Sequence, residues 1–364
     1  MTAMPTPEDN SRGPVTPRRR RPRYSGTHPR RFHERYKERD ADAYPEIQEH
    51  VRAQGRTPAG THVPVMVNKV LKWLAPQPGD VVADVTLGYG GHAEAFLRAI
   101  GPKGRLVGLD VDGRELERAG RRLTKLGGAL SLHHSNYAGI GKVLAAEGIE
   151  GFDVIFADLG ASSMQLDDPQ RGFTYKRDGP LDMRMDSRLV RTAADILATV
   201  SRNDLAAALT DLADEEDAAA VAAAIVRRRR AAPLLRTLEL AEAVLAAKGM
   251  TPHDWRSLKA KEPAAMHPAA RTFQALRILV NDELGALKQL LRSAPWCLRP
   301  GGRIGIITFH SGEDRLVKRS FRDGLRDGAY AAISTEPVRP SPAEVGANPR
   351  ARPAKYRWAR KPGD

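Results

Sequence analysis

The spacing of its apolar runs constrains this chain more than any other feature. Val81–Leu87, Arg105–Asp110, Leu130–His134 and Phe152–Ala157 follow one another closely, with helical patterns between them. Short apolar runs alternating with helices predict a doubly wound parallel sheet, because strands covered on both faces need no polar side. The next run of that quality, Arg303–Phe309, follows the turn Pro300-Gly301-Gly302 and comes about 140 residues later. A crossover needs only about a dozen residues, so the interval predicts an inserted domain. Asp195–Ala247 within it is rich in Ala and Leu. Ser201 sits three residues before Asp204 as a helix start, while Arg227–Arg230 and Gly249 fall where helix ends favour a cation and a glycine.

The expected organisation is an α/β, Rossmann-like sheet domain in two pieces, residues 59–165 and 269–338, with an inserted helical, substrate-binding domain at 166–268. A first helix draws on Val63 to Leu74 and stops at Pro76, Pro78 and Gly79. Residues 1–58 are Arg- and Pro-rich and are expected to be disordered until bound, and 339–364 form a basic tail. The net charge is +14, and most of it lies in these ends: 13 basic against 8 acidic side chains in residues 1–60, and 7 against 2 in 339–364. Such ends concentrate near phosphate polyanions, which favours a nucleic-acid partner without specifying it. No stretch approaches the roughly 20 apolar residues of a membrane span. That, with no signal-peptide pattern, predicts a soluble, cytoplasmic protein. Cys297 is the single cysteine, so an internal disulfide and a multi-cysteine metal site are excluded, and no metal is expected.

The segment Asp84-Val-Thr-Leu-Gly88-Tyr-Gly90-Gly91-His92 lies between the first strand and its helix. Glycines there let the backbone turn sharply and a ligand approach the helix amides. Asp110 ends the second strand 19 residues after Gly91, where a carboxylate can accept hydrogen bonds from both hydroxyls of an adenosine ribose. NAD and S-adenosylmethionine both carry that ribose. Two details favour the methyl donor: the loop departs from G-x-G-x-x-G, and Asp84 would repel a pyrophosphate but attract an ammonium. An NAD-dependent oxidoreductase stays the competing enzyme class, and an RNA-binding assembly protein without catalysis the competing non-enzyme.

The fourth strand runs into Asp158-Leu-Gly-Ala-Ser162-Ser163-Met-Gln165-Leu-Asp167-Asp168, at the strand ends where open α/β sheets bind ligands. Asp158 is a candidate for the floor of the site, and Gln165 for a contact to adenine or a substrate base. Carbon-5 methylation of a pyrimidine needs an activated thiol, and Cys297, in an apolar helix end, reads as structural. Amine or hydroxyl acceptors remain, which need only alignment and removal of a proton. Asp182 in Asp178-Gly-Pro-Leu-Asp-Met-Arg-Met-Asp186 and His310 in Phe309-His-Ser311 are the candidates for that proton.

These segments, together with His62-Val-Pro-Val, Arg171-Gly-Phe173, His267-Pro268, Arg271-Thr-Phe-Gln-Ala-Leu-Arg277, Asn281-Asp-Glu-Leu284 and Asn348-Pro-Arg-Ala-Arg352, resemble the RsmH (MraW) family in the same order over residues 61–358. Three positions depart from its pattern: Met164 stands where proline is usual, Gly312 where leucine is usual, and Leu212–Asp217 replaces a Tyr-Gly-Glu-Glu stretch. The resemblance implies a Rossmann-like methyltransferase sheet with an inserted helical domain, and S-adenosylmethionine as cofactor. It implies N4-methylation of one cytidine in the decoding region of 16S ribosomal RNA, with small-subunit RNA or the assembled small subunit as partner. Donor contacts would be Gly90, Gly91, His92, Asp110, Tyr137, Asp158 and Gln165. Arg184, Arg271, Arg277, Arg350 and Arg352 would hold phosphates.

Overall fold

The computed structural model describes residues 64–262 and 265–363, so the expected extension at 1–58 lies outside the described residues. The predicted alternation is present. Strands β1 (Val81–Asp84), β2 (Arg105–Asp110), β3 (Ala129–His134) and β4 (Phe152–Asp158) pair in parallel, with Val81 opposite Arg105 and Val82 opposite Val154. Their side chains alternate between two apolar layers. Val82, Val154 and Phe156 face one layer with Phe96, Leu97 and Leu123; Ala83, Ile155 and Ala157 face the other with Ile140, Leu287 and Phe321. Helices α2 (Gly91–Ile100) and α3 (Gly113–Leu123) cover the first face, and α4 (Ile140–Glu147) the second. A strand buried on both sides must be apolar throughout, which is why these runs were conspicuous.

The full order is β3-β2-β1-β4-β5-β7-β6, with β5 (Leu298–Thr308) parallel to β4. The chain leaves β1 toward β2 and β3, then returns to β1's other side as β4. The carboxyl ends of β1 and β4 therefore splay their following loops apart, which opens a crevice at that switch point. β1 is shorter than the expected Val81–Leu87, although the Leu87 amide still donates to the Leu109 carbonyl at 2.8 Å.

The region expected as a basic tail supplies part of the sheet. β7 (Lys355–Arg360) runs antiparallel to β5, with Ile307 opposite Tyr356, and β6 (Ala332–Ile333) pairs with β7. Tyr356 is fully buried, and the buried guanidinium of Arg357 holds Asp314 at 2.7 Å. Counting charge hid this strand, because its core-facing positions include a paired arginine. Asp314 belongs to α13 (Ser311–Arg326), which with α1 (Val67–Leu74) and α12 (Glu283–Cys297) completes the cover of the sheet.

Between β4 and β5, ahead of α12, lie a short helix α5 (Ser163–Asp167) and six more: α6 (Ala193–Thr199), α7 (Arg202–Ala213), α8 (Ala218–Ala231), α9 (Thr237–Ala247), α10 (Pro252–Lys261) and α11 (Ala270–Asn281). The Ser201 hydroxyl caps α7 by accepting the Asp204 amide at 3.1 Å, as its spacing predicts. α8 ends just past Arg228–Arg230, and Gly249 takes φ +68° after α9. These helices share a cluster of their own, including Leu197, Leu209, Val221, Ile225 and Val244. α11, beyond the expected boundary at 268, adds Phe273, Leu276 and Val280 to it. No described helix is long and apolar enough to cross a membrane.

Candidate active site

The crevice at the switch point is lined by the loop after β1, the end of β2, the loop after β4, Tyr137 and parts of the helical region. Gly88 (φ +50°) and Gly90 (φ +82°) turn the first loop into α2. A Cβ on Gly90 would lie 3.0 Å from Leu123, so this position is closed to larger residues by both φ and space. Gly90 backs the loop, and Gly91 and His92 line the crevice itself.

Asp110 holds the loop in place. Its carboxylate accepts the Gly88 amide at 2.6 Å and the Asp112 amide at 2.8 Å. Burial nevertheless raises its pKa to about 6. Asp84, 1% exposed, is raised to about 7 by burial, with one oxygen accepting the Thr86 amide at 3.3 Å. Asp158 is pushed well above the usual carboxylate range by burial first, then by the charges of Asp84 and Glu313. Among the described residues, Asp84 Oδ2 and Asp158 Oδ1 are buried with no hydrogen-bond partner. His92 Nε2 donates to the Val65 carbonyl at 2.9 Å, which directs Nδ1 toward Asp158 Oδ2 at 3.7 Å. Two carboxylates, Asp110 and Asp158, thus line one crevice with Asp84 buried behind it, and Asp84 and Asp158 keep orphaned oxygens. Such an arrangement is costly unless a ligand brings donors and positive charge.

Tyr137 and Gln165 complete the expected set. The Tyr137 hydroxyl donates to the Glu283 carbonyl at 3.1 Å, and so fixes its ring on the crevice wall. Gln165 lines the wall and is held by two bonds: Oε1 accepts the Ser162 amide at 3.0 Å and Nε2 donates to Asp112 at 3.2 Å. Asp112 and Glu283, not among the expected site residues, border this site. Asp112 anchors Arg171 at 2.7 Å, and Glu283 lines the crevice while binding Arg277. Their signals were present in the sequence, as an acid two residues past Asp110 and as the Asn281-Asp-Glu-Leu284 segment.

The expected proton acceptors are placed elsewhere. Asp182 is clamped by Arg184 through bonds of 2.7 and 2.8 Å. Burial raises its pKa, but the hydrogen bonds from Arg184 outweigh that and hold the carboxyl below its usual range. His310 caps α13: Nδ1 accepts the Glu313 amide at 3.4 Å and Nε2 lies 3.2 Å from Glu313 Oε1. Neither residue lines the crevice. Most of the arginines expected to hold phosphates are likewise committed. Arg277 pairs with buried Glu283 at 2.8 Å, Arg271 with Glu216 at 3.0 Å and Arg350 with Asp167 at 2.6 Å. Arg352 alone of the five is exposed with no ion pair among the described residues. Cys297 is buried at the junction of α12 and β5, packed in the core away from the crevice.

Residues 59–362 match the model of the MraW methylase family. The chain is 41% identical over 365 residues to the ribosomal RNA small subunit methyltransferase H 1 of Lachnoclostridium phytofermentans, covering 99% of this chain and 96% of that protein. It is 44% identical over 321 residues to the ribosomal RNA small subunit methyltransferase H of Acidothermus cellulolyticus, covering 84% and 94%. A third relative, from Syntrophotalea carbinolica, is 42% identical over 82% of this chain and 98% of its own length.

Proposed function

The chain belongs to the MraW methylase family and is an S-adenosylmethionine-dependent ribosomal RNA methyltransferase, and from that premise we propose that it methylates N4 of one cytidine in the decoding region of small-subunit RNA. The single observation that carries the donor assignment is the orphaned Asp158 Oδ1 in the crevice that Asp110 also lines, with a second orphaned oxygen, Asp84 Oδ2, buried behind it. A ligand with an ammonium, a sulfonium and a ribose diol supplies what these groups lack. A pyrophosphate would add charge of the wrong sign.

In this assignment Asp110 accepts the ribose hydroxyls, while Gly90 and Gly91 keep the loop close enough for backbone contact. Asp84 faces the ammonium, the Tyr137 ring covers the adenine and Gln165 borders it. His92 buttresses Asp158. Bound there, S-adenosylmethionine supplies an electrophilic methyl group. The cytidine amine has a lone pair delocalised into its ring, so an acceptor must take its proton as the new bond forms. Asp158 suits that task better than Asp182 or His310, because it lines the crevice with a free oxygen and a raised affinity for a proton. The target base is drawn out of its stack to reach the crevice.

Transfer of labelled methyl to purified small subunits, followed by mass spectrometric mapping of the modified nucleotide, tests this reading. Modification of a cytidine amine is expected. Label on carbon 5 or on a ribose would refute the acceptor, and absence of affinity for S-adenosylhomocysteine would refute the site.

A further inference from the structure

α10 is the one described helix of eight or more residues that buries none of them. A ten-residue helix is marginal in water without tertiary packing, so its surviving contacts are informative. Its start is well capped: the Thr251 hydroxyl accepts the Asp254 amide at 3.2 Å and Asp254 returns a bond at 2.8 Å. Its tertiary anchor is a ladder of rings. Trp255 meets His267 edge-on at 4.7 Å between centroids, His267 stacks on Tyr175 at 4.4 Å, and Tyr175 meets the buried Phe273 at 5.4 Å. The ladder runs from the surface into the core of the helical layer.

The charges around the ladder are cationic. Lys259 lies 5.7 Å from the Trp255 ring centroid and donates to the Ala265 carbonyl at 2.8 Å. Lys176, Arg256 and Lys261 are exposed and form no ion pair among the described residues. Of the two acids on α10 and its C-cap, Asp254 is engaged in the N-terminal cap, which leaves Glu262 at the helix end, while Asp178 beside Lys176 pairs with Arg236. Burial, then Lys176 and Lys259, lower the His267 pKa to about 4, so its ring is uncharged at neutral pH and stacks as an aromatic. Met266, 61% exposed, extends the apolar surface beside it.

We propose that Trp255 and the ring ladder behind it form a stacking platform for an unpaired base of the substrate RNA, with Lys176, Arg256 and Lys261 holding neighbouring phosphates. The proposal rests on RNA being the substrate. Flat aromatic surface ringed by cations is the chemistry that binds single strands without reading sequence. An apolar protein partner would want more greasy area than the rings and Met266 provide, and a basic one would be repelled. The platform serves a flanking nucleotide, not the target: α11 begins beside His267 and ends two residues before Glu283 on the crevice wall, a span of about 18 Å at 1.5 Å per residue.

The test uses the full chain, a labelled single-stranded oligoribonucleotide and purified small subunits. Trp255→Ala is expected to weaken oligoribonucleotide binding roughly 5- to 150-fold, the range of one lost base stack, and Trp255→Phe to restore most of it. Lys176→Ala, Arg256→Ala and Lys261→Ala should each flatten the dependence of log K on log salt by about 0.7. S-adenosylhomocysteine affinity should stay unchanged in all of them, the melting temperature in the three cation variants and Trp255→Phe, and KM for subunits should rise with kcat preserved. Unaltered RNA affinity in Trp255→Ala overturns the platform. So does a defect seen with assembled subunits but not with the oligoribonucleotide, which would assign the face to a ribosomal protein. Failure of the wild-type chain to methylate small subunits while it still binds the oligoribonucleotide through Trp255 would refute the proposed reaction and not the platform.

Discussion

The crevice at the strand ends and the helical layer beside it treat charge in opposite ways. Around the crevice, no Lys or Arg pairs with Asp84, Asp110 or Asp158 among the described residues, His92 alone approaches Asp158 at 3.7 Å, and Asp84 and Asp158 each keep an oxygen with no partner. In the helical layer and its borders, acids and bases cancel one another: Asp182 with Arg184, Glu283 with Arg277, Glu215 with Lys248. Paired charges are scaffold, since breaking such a pair strands a buried ion. Unpaired ones mark where the protein has left work for a ligand to finish. The same test separates the four committed arginines from Arg256 and Lys261 of α10.

The largest effect expected from this contrast is on folding. Arg277→Ala strands buried Glu283 and should cost about 3–5 kcal/mol in urea unfolding, whereas Asp84→Asn, which removes a buried unpaired carboxyl, should leave stability at pH 8 no lower than wild type. Equal losses in the two variants would erase the distinction. Next comes ligand affinity. Asp110→Asn and Asp84→Asn should each weaken S-adenosylhomocysteine binding about 10- to 100-fold in calorimetry, the worth of one hydrogen bond to a charged group, while Arg184→Ala should leave it unchanged.

A third effect concerns pH. Burial raises the pKa values of Asp84 and Asp110 to about 7 and about 6, above the usual carboxylate value of 3.8. The ligand-free folded state therefore holds more protons than the unfolded chain across this window, and its stability should fall as pH rises from 5 to 8. Urea midpoints measured with and without S-adenosylhomocysteine check this; the decline should be shallower with ligand, whose ammonium favours the ionised Asp84. The smallest effect is expected at Asp182, the acid first chosen from the sequence. Asp182→Asn loses a half-exposed pair worth under about 1 kcal/mol, and single-turnover methyl transfer should stay within about threefold of wild type. A much larger loss there would return the proton acceptor to Asp182.

The sheet was legible because parallel strands buried on both faces leave uninterrupted apolar runs, and Asp110 because the first two strands and their loop have nearly fixed lengths. Asp84 and Asp158 followed from their places at strand ends. β7 was not legible, since Arg357 sits in the core only by virtue of Asp314, 43 residues away. The pairing of Asp182 with Arg184 was not legible for a related reason: acids and bases two residues apart in a motif look available for chemistry, and only the fold reveals that they satisfy each other. Glu283 reaches the crevice from more than 100 residues beyond Asp158, and no local pattern announces that meeting.

The insertion of β7 between β5 and β6 also ties the protein's maturation to its translation. Both partners of the β4–β5 pairing have been made once residue 308 is reached, but the other edge of β5 has no partner until residues 355–360 have been made, with Ile304, Ile306 and Ile307 close behind it. A nascent chain halted after Arg352 would present that edge as a ready template for pairing with another chain. Of the strands in this sheet, the one made last is therefore the one that covers the open edge of β5.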